Sequence, residues 1–146
     1  MKKSFTLSSF LFLLLVSVWS GEDKGVSVRV RVEGFSDNKG LCRLLIYSHP
    51  KGFPDSMTEA ALCCTSPIKD KAADFSLNLV SGKYAFSVLH DGNENGKMDK
   101  TWYGKPSEGF GASNNPPSRK GPPAFDECVL NIDTHCNSFL IRINYL

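Results

Sequence analysis

The chain lacks the short signatures by which catalytic sites are usually recognised. It has no G-x-S-x-G, no H-E-x-x-H and no C-x-x-C, which removes the serine-hydrolase elbow, the zincin helix and the thioredoxin-type redox pair. It has no basic stripe of the kind that follows a nucleic-acid backbone. Its longest apolar run, Phe10 to Val18, falls short of the roughly 20 residues that a membrane-spanning helix needs. Internal repeats, low-complexity tracts and a second domain are also missing. Cysteine is scarce and odd in number, at five among 146 residues. At least one thiol is therefore unpaired or shared with another molecule, and a thiol-linked partner is one reading of the chain.

What is present first is a leader. Lys2 and Lys3 make a positive start, Phe10 to Val18 an apolar centre, and Val18-Trp19-Ser20 a cleavage region. Residues 1–20 are expected to be a secretory signal, with 21–146 a single domain that is periplasmic or extracellular and has no membrane span after cleavage. The 17 Lys and Arg outnumber the 15 Asp and Glu only through Lys2 and Lys3, so the exported part carries no formal net charge. An oxidising compartment permits disulfides, but spacing leaves the pairing of Cys42, Cys63, Cys64, Cys128 and Cys136 open. Cys42 alternates in phase with Leu44 and Ile46, as a buried small hydrophobe would.

The remaining pattern is that of strands. Val26, Val28, Val30 and Val32 share one face, while Ser27, Arg29 and Arg31 share the other. Gly34 to Gly40 is a polar turn and Leu41 to Tyr47 a second strand, so the pair reads as a hairpin. His49 to Pro67 is irregular, with a short helical turn over Ser56 to Leu62. Ala73 to Val80 and Tyr84 to Leu89 alternate again around Ser81-Gly82-Lys83 and read as a second hairpin. Residues 104–124 hold four glycines and five prolines and admit no regular element. Trp102, Tyr103, Phe110 and Phe125 are expected to pin this segment onto the sheet. Cys128 to Ile132 and Ser138 to Tyr145 complete the set. Short strands, turn-rich links and little helix imply an all-β, antiparallel β-sandwich with a long Gly/Pro-rich loop.

Four stretches occur in order: Gly82-Lys83-Tyr84-Ala85, His90-Asp91-Gly92-Asn93-Glu94-Asn95-Gly96-Lys97-Met98-Asp99, Gly104 to Asn115, and Gly121-Pro122-Pro123-Ala124-Phe125. Together they resemble the bacterial exported family known as domain of unknown function 2141. The resemblance implies export and a small sandwich of immunoglobulin- or prealbumin-like appearance, and it carries no established activity. The Asp126-Glu127-Cys128 stretch departs from the small or acidic pair that usually follows the Gly-Pro-Pro segment.

The second of these stretches carries the chemistry. Calcium takes six to eight oxygens, and the EF-hand loop supplies them from positions 1, 3, 5, 7 and 9 with glycine at 6. Counted from Asp91, those positions are Asp91, Asn93, Asn95, the carbonyl of Lys97, and Asp99, with Gly96 at the turn. Trp102 stands where the bidentate glutamate belongs, and Glu108 is the nearest replacement if the segment before it folds back. A weak Ca2+ site on a non-enzymatic binding or structural module is the leading expectation, alongside a small ligand, cell-envelope or protein partner. The same polar stretch also forms a hairpin end with no ion, its Asp and Asn side chains bonding nearby amides. The rival reading is a periplasmic enzyme with a catalytic metal on His90, Asp91 and Glu108.

Overall fold

The computed structural model describes residues 25–117, 121–135 and 137–146. The leader expected at 1–20, the basic pair Arg119-Lys120 and Cys136 lie outside the described residues. Eight strands and one short helix follow in order: β1 (Val26–Glu33), β2 (Leu41–Tyr47), β3 (Leu62–Pro67), β4 (Ala72–Leu79), β5 (Gly82–Asp91), β6 (Phe110–Ala112), α1 (Phe125–Cys128), β7 (Val129–Ile132) and β8 (Ser138–Arg142). The fold is all-β. One sheet runs β4-β1-β8, and the other runs β3-β2-β5, with β6 and β7 sharing the far edge of β5.

Strand formation follows the alternation closely. The four valines of β1 are all buried and the residues between them exposed, since a half-buried strand turns every second side chain inward. One buried cluster draws on both sheets: Val28, Val30, Val32, Phe75 and Ile141 from the smaller, Cys42, Leu44, Ile46, Phe86 and Val88 from the larger. Phe86 and Phe139 meet edge to face between the sheets at 6.0 Å, a favoured aromatic geometry.

Strand partners differ from those expected. β1 and β2 do not form a hairpin: β1 pairs with β4 and β8, β2 with β3 and β5. β4 and β5 likewise lie in different sheets. In both cases a connection that reads as a turn carries the chain from one sheet to the other. Phe35, at the centre of the first connection, is 2% exposed and belongs to the core. Its burial holds Gly34–Gly40 as a crossing instead of a hairpin tip. The pairing of β1 with β8 is parallel, which corrects the expectation of a wholly antiparallel arrangement. β8 arrives after β7 has closed the larger sheet, so its direction is not dictated by a tight turn. β3 lies within the stretch expected to be irregular. It is an edge strand exposed on most of both faces, so it carries no alternation to detect.

The larger sheet has a second face, turned away from this core. Directly opposed residues share a face, and the register places Arg43, Leu89 and Phe110 in one outer row and Leu45, Ser87 and Ala112 in the next. One end of this face is covered by a small aromatic cluster. Phe53 packs edge to face on Tyr47 at 5.3 Å and on Phe125 at 5.7 Å. The segment carrying Phe53 is tied down by the Ser87 hydroxyl, which donates to the Pro54 carbonyl at 2.5 Å, and by the Tyr47 hydroxyl, which donates to that of Ser56 at 3.0 Å. The other end of the face is open.

Candidate functional site

The chain leaves β5 at Asp91, on the outer face, and turns through the polar loop. Asp91 is fully buried, and its carboxylate is held from three directions. It accepts from Arg43 Nε at 2.5 Å, from the Asn95 amide at 3.0 Å and from the Gly96 amide at 2.9 Å. Burial pushes the Asp91 carboxyl up. The Arg43 hydrogen bond and charge, with the two amides, more than offset this and hold it below the usual carboxylate range. The loop backbone is thus folded around Asp91, with Arg43 of the neighbouring strand as its counter-charge.

Asn93, Asn95 and Asp99 are joined by hydrogen bonds instead of forming a cage of bare oxygens. Asn93 Nδ2 donates to Asp99 at 2.7 Å, and Asn95 Nδ2 reaches both Asp99 oxygens at 2.9 and 3.0 Å. Asn93 Oδ1 accepts from the Asn95 amide, and Asn95 Oδ1 from that of Lys97. Glu108 does fold back as expected. Its two oxygens accept from the amides of Gly92 at 3.1 Å and Asp99 at 3.0 Å, clasping the start and end of the loop. The oxygens therefore face N–H groups. Among the described residues no three His, Cys, Asp or Glu side chains come together so as to hold a metal.

His90 and Asp91 diverge, as neighbours on a strand must. His90 is buried beside Phe35 at a ring separation of 5.2 Å. Its Nε2 lies 2.8 Å from the Lys39 carbonyl and its Nδ1 2.7 Å from the Tyr145 hydroxyl. A carbonyl only accepts, so Nε2 carries the proton and Nδ1 takes the tyrosine's. Both ring nitrogens are occupied in joining the 34–40 crossing to the C-terminal tail. His90, Asp91 and Glu108 are not brought to one point.

Beside the loop the open end of the outer face forms a cavity of about 570 Å3. Leu45, Ser87 and Leu89 make its floor. Met57 from the 48–61 segment and Met98, Tyr103 and Pro106 from the loop region make its walls. The volume lies within the roughly 300–1,000 Å3 of small-ligand pockets. Phe110 and Gly111 close one side, where Phe110 exchanges backbone hydrogen bonds with Asn144 at 3.0 and 2.8 Å. Glycine is required at 111, because a Cβ there would run into the Arg142 carbonyl.

Trp102 does not pin the loop to the sheet. It is 95% exposed and touches the cavity-lining Tyr103 edge to face at 5.2 Å. Cys42 and Cys128 are buried free thiols, pushed by burial to about 12 and about 11 respectively, which makes them inert at neutral pH. Cys63 and Cys64 are also free.

Two features of the site escape a reading along the chain. Arg43 is one, although a cation inside the apolar run Leu41 to Tyr47 is a clue, since a charge in such a strand needs a partner. The cavity is the other. Its lining comes from seven separate stretches of the chain, and no local spacing signals it.

No helix among the described residues is long and apolar enough to cross a membrane. No curated protein and no solved structure matches the chain. A family model does, over residues 30–138. That span holds the Asp91 loop, its Arg43 partner and most of the cavity wall, and the chain belongs to the family described as uncharacterized proteins conserved in bacteria (DUF2141).

Proposed function

We propose that this is an exported, non-enzymatic binding module, built as a β-sandwich of immunoglobulin- or prealbumin-like kind. Its ligand lodges in the cavity on the outer face of the larger sheet. The observation that carries this reading is the cavity itself: an apolar recess of about 570 Å3 whose loop wall is anchored by the buried Asp91–Arg43 pair. A wall that only closed off a turn would not need a buried charge pair to fix its position. The basic and apolar parts of the leader, Lys2, Lys3 and Phe10 to Val18, support export. The measurement is calorimetric titration of the mature protein with decanol, an uncharged apolar probe. Saturable binding with micromolar Kd is expected, and Leu45→Trp, which raises the cavity floor, is expected to weaken it at least ten-fold. No binding by the wild-type protein would sink the reading.

A second reading concerns calcium. It is favoured by the convergence of the Asn93 and Asn95 amides on the Asp99 carboxylate, at 2.7–3.0 Å. An ion there would require the two amides to turn their oxygens toward it. Asp91 and Glu108 would continue to bind backbone amides and shape the loop. One carboxylate with two amide oxygens makes a weak site, with Kd on the order of 10⁻⁴ to 10⁻³ M. With Kd near 0.1 mM, 1 mM calcium adds about 1.4 kcal/mol, raising Tm by about 5 °C for a domain of this size. Asp99→Asn is expected to remove that rise. A melting curve that ignores both calcium and chelator takes the ion out of the function.

A further inference from the structure

Resting on the cavity reading above, we infer that the cavity's ligand is an amphipathic carboxylate, with its apolar body against Leu45, Leu89 and Met98 and its anionic end at Arg43. The guanidinium is the key group. It is 15% exposed and lines the cavity. A guanidinium has five N–H donors. One of them, on Nε, is given to Asp91, and the other four make no hydrogen bond among the described residues. None of these nitrogens is a buried atom without a partner, so they stay open to solvent, and a ligand that covered them without offering an acceptor would be penalised for desolvating them. A ligand oxygen at that position would relieve the cost, and the planar fork of Nη1 and Nη2 suits the two oxygens of a carboxylate.

The surrounding charge sets the sign. Of the charged side chains lining the cavity, Arg43, Lys100 and Lys105 are basic and Asp55 alone is acidic. Asp91 already balances Arg43, so the two lysines are what favours an anion over a neutral acceptor. Both are exposed, and their contribution is screened by salt. The apolar body is indicated by the rest of the lining, which is leucine, methionine, proline and aromatic. A free small molecule fits a concave recess of this size better than a membrane surface, which would call for a flat or protruding apolar face.

The test compares three probes of one chain length on the wild-type protein, each below its micelle-forming concentration: decanoate, decanol and decylamine. Decanoate is expected to bind about ten-fold more tightly than decanol at low salt, because a hydrogen bond between two charged groups is stronger than one to a neutral hydroxyl. Decylamine is expected to bind least. Raising the salt should narrow the gap between decanoate and decanol. Arg43→Gln risks unfolding the loop, so the variant to use is Lys100→Gln/Lys105→Gln, both surface positions. It should weaken decanoate several-fold and affect decanol far less, closing the gap between the two probes. Decanol binding as tightly as decanoate, or decylamine binding best, overturns the carboxylate proposal while the cavity reading stands. Failure of all three probes overturns both.

Discussion

Asp91→Ala is expected to destabilise the protein by about 3–5 kcal/mol, the cost of stranding one partner of a buried ion pair. The loss has three parts. Arg43, only 15% exposed, is left without its counter-charge. The amides of Asn95 and Gly96 lose their acceptor. The loop that walls the cavity loses the point around which it is folded. Asp91→Leu combined with Arg43→Met should recover much of the stability, since apolar residues of similar volume can replace such a pair at little cost. Chemical denaturation of the three proteins is the measurement. An Asp91→Ala variant within about 1 kcal/mol of wild type would mean that the pair does not hold the loop.

The same pair sets an acid dependence. Asp91 in the folded protein titrates below the ordinary carboxylate range, whereas in the unfolded chain it titrates near 3.9. A depressed folded value means that the stabilisation is complete above the unfolded pKa and is lost as pH falls through the folded one. Wild type should therefore lose stability below about pH 4, and Asp91→Asn should lose less over the same interval.

Gly40→Ala is the second substitution with a large expected effect, about 3–4 kcal/mol when left-handed backbone strain and overpacking are combined. Gly40 has φ of 66°, and a Cβ there would collide with the Asp91 carbonyl and sit 2.6 Å from the Gly92 Cα. Those are backbone atoms and cannot swing aside. Gly92→Ala is the matched control, because a Cβ at 92 meets nothing within 4 Å. Its unfolding midpoint should stay close to wild type while that of Gly40→Ala falls sharply. Equal losses from the two would show that the crossing at 34–40 and the start of the loop are not packed as described.

Gly40 also shows what sequence can and cannot convey here. Alternation located β1, β2, β4 and β5 to within a residue or two, because burial of one face is written into every second position. The identity of each strand's neighbour is not written there. Gly34 to Gly40 has the composition of a hairpin tip, and only the burial of Phe35 reveals that it crosses between sheets. Phe110–Ala112 is three residues long inside a glycine- and proline-rich stretch, too short to show a period. At the site, Asp91, Asn93, Asn95, Asp99 and Glu108 stand out in the sequence as a run of oxygen-bearing side chains, and the structure uses them to hold the loop through N–H groups. Their hydrogen-bond partners were not, since backbone amides leave no trace in composition and Arg43 lies 48 residues upstream of Asp91.

The position of Trp102 has a practical consequence for spectroscopy. The chain has two tryptophans: Trp19, which lies outside the described residues, and Trp102, which packs on the cavity-lining Tyr103. With residues 1–20 removed, as the proposed export requires, the indole emission would come from a side chain that is 95% exposed in the folded state. Denaturation should barely change its colour, so an emission scan would miss global unfolding. A molecule settling against Tyr103, by contrast, would alter the surroundings of that indole at once. The protein thus carries a built-in optical reporter that is nearly blind to folding and sensitive to occupancy.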